Sequence, residues 1–60
     1  MPIVKINWLE GRTEMQKAKI AEAITKSVVE IGGTKPEEVI VLFIDMPPTN
    51  IAKSGRLKSE

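Results

Sequence analysis

The chain has 60 residues, a formal net charge of +1 and a hydrophobic content of 42%. Its nine basic and eight acidic residues are too evenly balanced for the phosphate-binding surface of a nucleic-acid-binding protein. Cysteine and histidine are absent, which excludes disulfides, thiolate chemistry and the commonest zinc ligands. A chain of this size hides only about 60% of its unfolded surface, so we expect its core to depend on oligomerisation.

The chain opens on a predicted strand. Side chains alternate over residues 3–9, which puts Val4, Ile6 and Trp8 together on one strongly apolar face. Residues 10–12 then break the strand, because Gly11 can adopt a backbone conformation that a substituted residue resists. The first twelve residues therefore predict a strand that ends in a turn carrying Arg12.

A helix is predicted to begin after Thr13. Thr13 and Gln16 fit a capping box, in which each side chain accepts a hydrogen bond from the backbone N–H of the other residue. Apolar residues follow at steps of three and four, with Ile20 beside them, and predict one apolar stripe: Ala18, Ala21, Ile24, Val28 and Ile31. Gly32 and Gly33 end the helix in the usual C-terminal fashion, which gives a rod of roughly 27 Å.

A second strand is predicted over residues 39–44, which are apolar without alternation and hence covered on both faces. Two prolines, Pro47 and Pro48, prevent its continuation. The last twelve residues predict a small hairpin or arm around a turn at Ser54-Gly55. The fold class is α/β, with a single βαβ unit, a right-handed crossover and one domain over residues 1–60. Because two strands alone are unstable in water, another copy is expected to complete the sheet.

The expected location is the cytoplasm. No apolar run approaches the roughly 20 residues that cross a bilayer. The apolar residues of the N-terminus alternate with Lys5 and Asn7, a pattern unlike that of a signal peptide. We therefore expect neither a membrane nor a nucleic acid as a partner.

Two residues of the opening segment carry potential chemistry, Pro2 and Arg12. Removal of Met1 would turn Pro2 into a free secondary amine, and apolar surroundings would lower the pKa of that amine toward the range of a general base. Arg12 follows a strand of about seven residues that spans roughly 23 Å, far beyond the reach of an arginine side chain. If both groups act on one small substrate, Arg12 must come from a neighbouring subunit.

In several segments the sequence resembles that of the 4-oxalocrotonate tautomerase family. The resemblance lies in the segments Pro2-Ile3-Val4, Leu9-Glu10-Gly11-Arg12-Thr13 and Gln16-Lys17, followed by Ile44-Asp45-Met46 and the turn at Ser54-Gly55. It covers nearly the whole chain. The resemblance implies a homohexamer, a trimer of dimers, that catalyses 1,3-keto–enol tautomerisation of a 2-hydroxydienoate such as 2-hydroxymuconate with no cofactor and no metal.

The same resemblance implies roles for four residues. Pro2 would act as the catalytic base and Arg12 would bind a substrate carboxylate. Ile40 and Ile51 would contact the substrate, Ile40 where the best-known members carry a second arginine and Ile51 where they carry an aromatic residue. The loss of that arginine removes a donor to an oxyanion or 2-oxo group, and removing one such donor typically costs about 10²–10³ in rate.

Two other functions remain open from the sequence. One is hydration or dehalogenation of unsaturated acids on the same scaffold, although the region before Glu60 offers no extra carboxylate to activate water. The other is a non-enzymatic small oligomeric binding domain, such as a DNA-binding strand–helix dimer. Halide release from 3-chloroacrylates would identify the first, and tight sequence-dependent binding in a mobility-shift assay would identify the second.

Overall fold

The computed structural model describes residues 1–60 and contains one helix and two pairs of strands. The elements are β1 (Ile3–Leu9), α1 (Glu14–Gly32), β2 (Ile40–Met46), β3 (Ala52–Lys53) and β4 (Arg56–Leu57), with short 3-10 turns at Pro36–Glu38 and Pro48–Asn50. The predicted βαβ unit with a short C-terminal hairpin is confirmed. The helix lacks the apolar length that crossing a membrane requires.

Strands β1 and β2 pair in parallel, with Ile3 opposite Ile40 and Leu9 opposite Met46. One hydrogen bond extends the ladder at each end, from Ile40 N–H to the Pro2 carbonyl (3.0 Å) and from the Glu10 N–H to the Met46 carbonyl (2.9 Å). The predicted second strand was therefore placed slightly too early, because β2 includes Asp45 and Met46. It ends directly before Pro47, which has no N–H to donate to a ladder.

Both predicted ends of the helix are confirmed. Thr13 and Gln16 form the capping box, with the Gln16 N–H donating to Thr13 Oγ1 at 3.2 Å and the Thr13 N–H donating to Gln16 Oε1 at 2.9 Å. Gly33 follows the helix in the left-handed conformation (φ 74°), where glycine is favoured, and its N–H donates to the Val29 carbonyl.

The predicted apolar stripe of the helix is wrong at two positions. Ala18 is exposed and Ile31 is 88% exposed. The half-buried side of α1 consists instead of Lys17, Ile20, Ala21, Ile24, Thr25, Val28 and Val29. This side is centred near Ala21 and Val28, so Ala18 and Ile31 fall on its margins.

The isolated chain has no fully buried residue. Helix α1 covers the sheet face that carries Val4, Ile6 and Trp8, but the opposite face is open to solvent. Large apolar side chains on that face are substantially exposed, with Ile3 at 61% and Leu42 at 43%. One chain therefore does not provide the predicted cover on both faces of β2, and the expectation of a second copy still stands as a prediction.

Candidate functional site

Pro2 lies immediately before β1, at the N-terminal end of the parallel pair. Its carbonyl accepts the Ile40 N–H, which ties the residue to the first position of β2. Pro2 is half-buried, whereas Met1 is 80% exposed. While Met1 is present, the Pro2 nitrogen is a tertiary amide and has no basicity to offer.

Ile40 and Ile51 occupy different parts of the structure. Ile40 begins β2 opposite Ile3, is 37% exposed and lies next to Pro2 through the backbone hydrogen bond. Ile51 is half-buried between the second 3-10 turn and β3, where its carbonyl accepts the Lys58 N–H at 2.8 Å. The fold thus brings Ile40 to Pro2, while Ile51 belongs to the C-terminal hairpin.

Arg12 lies in the loop after the other end of β1. Gly11 reverses the chain with φ 132°, a conformation open to glycine. Arg12 Nη1 donates to the Leu9 carbonyl at 3.0 Å, and the guanidinium carbon lies 4.7 Å from the centroid of the Trp8 ring. This is the distance range of a cation–π interaction. Because one hydrogen bond engages only one of five donors, the guanidinium keeps N–H groups for a carboxylate.

Trp8 is itself fixed by two neighbours on β2. Its indole stacks beside Phe43, with ring centroids 5.5 Å apart, and its Nε1–H donates to Asp45 Oδ1 at 2.6 Å. The other oxygen of Asp45 accepts a hydrogen bond from the Lys17 ammonium in the only salt bridge of the chain. Arg12, Trp8, Asp45 and Lys17 form a continuous chain of contacts across β1, β2 and α1, which we call the Trp8 network.

The Trp8 network lowers the pKa of the Asp45 carboxyl below its ordinary value. The hydrogen bond from Lys17 is the largest cause and the one from Trp8 the next, with smaller charge effects from Lys17 and Arg12. A carboxyl whose pKa is depressed in the folded state contributes stability at pH values above its unfolded pKa and loses it as the pH falls.

Asp45→Asn is therefore expected to make stability less sensitive to acid. The wild-type protein should lose more of its urea midpoint between about pH 7 and about pH 3 than the variant does, since only the wild type has this carboxylate to protonate. Glu30→Gln is a matched control, because Glu30 is exposed and makes no salt bridge. All proteins are compared at one concentration. Equal acid sensitivity of Asp45→Asn and the wild type would contradict the assignment.

The isolated chain offers no pocket that unites the candidate residues. Its one concave patch runs along a flank of α1 toward the first 3-10 turn, and none of Pro2, Arg12, Ile40 and Ile51 lines it. Its acidic side chains form no cluster that could hold a metal ion. Pro2 and Arg12 flank opposite ends of a seven-residue strand, so one protomer does not bring them together.

The Trp8 network is the part of the site that sequence reasoning missed. The sequence pattern places Trp8 on the apolar face of the first strand and ends the second strand before Asp45. A signal was present, because Trp8 and Asp45 lie near the ends of their strands and parallel pairing can place such residues side by side. The register that pairs them is visible only in the structure.

Comparison with known proteins gives a consistent result over the whole chain. A family model described as "Tautomerase enzyme" matches residues 2–60. A probable tautomerase of Ralstonia nicotianae is 40% identical over 60 residues, covering 100% of this chain and 92% of the relative. The 2-hydroxymuconate tautomerase of Bacillus subtilis is 35% identical, with coverage of 100% and 97%.

Solved structures that resemble this fold come from the same family. The solved structure of a heterohexamer 4-oxalocrotonate tautomerase from Chloroflexus aurantiacus superposes with a TM-score of 0.89 at 30% identity. The superposition covers 100% of this chain and 97% of that chain. The sequence and the backbone therefore point to one family.

Proposed function

The chain belongs to the tautomerase family, and from this premise we propose that it is a cofactor-independent keto–enol tautomerase of small 2-hydroxy and 2-oxo carboxylates. Enzymes of this family are isomerases, and the chain is one of them. The observation that carries the finer proposal is the family match itself, which begins at Pro2 and includes Arg12.

In the proposed reaction, the Pro2 amine acts as the base once Met1 has been removed. The amine takes the proton of the substrate 2-hydroxyl as the oxygen becomes a ketone, and the proton is returned to a carbon of the conjugated chain. Substrate and product have the same atoms, so no oxidant or reductant is needed. Support comes from the apolar neighbours Ile3 and Ile40, because desolvation disfavours the charged amine and lowers its pKa.

Arg12 is proposed to bind a substrate carboxylate. Its planar guanidinium can donate two parallel hydrogen bonds to the two carboxylate oxygens, which fixes both the position and the orientation of the acid. Its hydrogen bond to the Leu9 carbonyl and its position over the Trp8 ring support this role, since they leave the other N–H groups without a hydrogen-bond partner.

We propose that each active site combines Pro2 of one subunit with Arg12 of another. A strand of this length spans roughly 23 Å, too far for one protomer to bring both groups to a small acid. The open apolar sheet face and the absence of any fully buried residue support assembly with further copies. The Chloroflexus aurantiacus relative is a heterohexamer; for this chain we propose a homohexamer built as a trimer of dimers.

The proposed substrates are 2-hydroxydienoates, of which 2-hydroxymuconate is the example suggested by the Bacillus subtilis relative. Ile40 would form an apolar wall beside Pro2, and Ile51 of the C-terminal hairpin would contact the carbon chain. Neither supplies a donor for a second carboxylate or a 2-oxo group. A singly charged acid such as phenylenolpyruvate is therefore expected to compete well with the dianion.

The assay follows ketonisation of 2-hydroxymuconate and of phenylenolpyruvate by absorbance, with Met1-free protein verified by intact mass. We expect turnover of at least one acid, and a chain without Met1 that turns over neither would contradict the proposal. The sample must be Met1-free because a retained Met1 blocks the base for reasons unrelated to the substrate.

Ile40→Arg is expected to shift specificity toward the doubly charged acid. The ratio of kcat/KM for 2-hydroxymuconate to that for phenylenolpyruvate should rise by about tenfold or more, the effect of one charge-assisted hydrogen bond. Ile40→Met is the control, since it keeps an apolar side chain of similar volume. A ratio that stays the same in Ile40→Arg would show that Ile40 does not face the substrate.

A further inference from the structure

The contacts of Arg12 point beyond its own role to the residues that hold it. The guanidinium lies over the indole of Trp8 and donates to the Leu9 carbonyl. The ring contact holds the guanidinium over the indole, and the hydrogen bond to the Leu9 carbonyl restrains its Nη1 end. A long arginine side chain normally samples many rotamers, so a preset orientation lowers the entropy lost when a carboxylate binds.

The indole that carries Arg12 is polarised by Asp45. Trp8 donates its Nε1–H to the Asp45 carboxylate at 2.6 Å. A hydrogen bond to an anion draws electron density into the donor ring, and a more negative ring face attracts a cation more strongly. The stacking of Phe43 beside the indole holds it in this geometry. Asp45 thereby strengthens the hold on Arg12 without touching it.

Lys17 is the salt-bridge partner of the Asp45 carboxylate. Asp45 and Arg12 both contact the indole of Trp8, so an unpaired Asp45 carboxylate could bind the guanidinium and remove it from the substrate. In the structure Asp45 pairs with Lys17, and no salt bridge joins Asp45 to Arg12. Lys17 occupies the oxygen that the indole leaves free, so both oxygens of Asp45 already have donors.

We propose that Trp8, Asp45 and Lys17 are positioning residues that preset Arg12 for a substrate carboxylate: Trp8 provides the surface, Asp45 polarises it and Lys17 keeps Asp45 from capturing the guanidinium. The inference rests on the proposed function, because it takes the ligand of Arg12 to be a substrate carboxylate. None of the three residues touches the substrate in this account.

The first test separates the aromatic surface from simple packing. Trp8→Leu should raise KM for the carboxylate substrate about three- to tenfold with kcat within about twofold, the size of one cation–π contact. Trp8→Phe keeps a ring and should lie closer to the wild type. The Arg12 Nε–H resonance, shifted upfield by the indole ring current in the wild type, should move downfield in Trp8→Leu. This readout needs no activity and is made on the assembled protein.

The second test replaces Lys17 and Asp45, which contribute less apolar packing than Trp8 does. Lys17→Met should raise KM, because Asp45 then pairs with Arg12, and the double variant Lys17→Met/Asp45→Asn should return KM toward the wild-type value. Lys19→Met is the matched control, an exposed lysine of the same helix outside the Trp8 network. A purely structural role predicts a double variant at least as impaired as the single one.

The outcomes distinguish this inference from the proposed function. For an enzyme that is active and depends on Arg12, either of two results would overturn the inference. The first is a KM that is unchanged in both Trp8→Leu and Lys17→Met. The second is a double variant whose KM is no lower than that of Lys17→Met. The inference would also be overturned by an Arg12 resonance that does not depend on Trp8. A Met1-free wild type without turnover would instead contradict the proposed function, while the resonance would still report whether Trp8 orients Arg12.

Discussion

Pro2→Ala is expected to lower kcat by at least about a hundredfold, the lower end of what a positioned general base contributes. Alanine also leaves the start methionine removable, so the variant keeps a free amine at the same position of the chain. That amine is primary, more mobile and not fixed by a ring against the start of the sheet. The measurement is the ketonisation rate of Met1-free Pro2→Ala beside Met1-free wild type. Unchanged turnover would eliminate Pro2 as the base.

Retention of Met1 should have a stronger effect than Pro2→Ala. An amide nitrogen cannot take up a proton at neutral pH, so the Met1-retaining chain should show no activity above the background rate. Intact mass separates the two forms, and the protomer accommodates Met1 without packing it, since Met1 is 80% exposed in the single chain. Equal activity of the Met1-retaining and Met1-free forms would point to a base elsewhere in the chain.

Arg12→Ala is expected to lower kcat/KM by about 10–10², mainly through a higher KM, because a charge-assisted contact to the substrate carboxylate is lost. Arg12→Lys should recover only part of the loss, because an ammonium cannot form the bidentate contact. Arg56→Ala is a matched control, since Arg56 lies in the exposed hairpin. Comparable rates in Arg12→Ala and Arg56→Ala would show that the charge of Arg12 is not used by the substrate.

Much of the protomer fold follows from local sequence signals. The ends of α1 were predictable because Thr13 and Gln16 satisfy the first N–H groups of a helix and Gly33 accepts a left-handed backbone. The apolar run that predicts the second strand stops at Ile44, whereas β2 continues to Met46, directly before the prolines that prevent its continuation. In the structure Asp45 continues the strand opposite Trp8, and its carboxylate accepts hydrogen bonds from Trp8 and Lys17.

The site was predictable only in part, for a physical reason. Pro2 and Arg12 stand out as chemical groups in the sequence, and strand geometry alone separates them. The support of Arg12 depends on which residues of β1 and β2 face each other, and an apolar run without alternation, such as residues 39–44, does not set that register. The exposure of Ile31 was likewise missed, because periodicity gives a stripe without saying which edge of it meets the sheet.

The central claim is that Pro2 and Arg12 act from different subunits. The most direct test mixes the Pro2→Ala and Arg12→Ala chains, unfolds them together and refolds them so that both variants enter the same assemblies. Each variant refolded alone is the control. If a site takes its two groups from two subunits, random mixing restores both groups in about one site in four of a closed homo-oligomer. We predict a mixture far more active than either variant alone. If the mixture were no more active than the two controls, Pro2 and Arg12 would not act from different subunits.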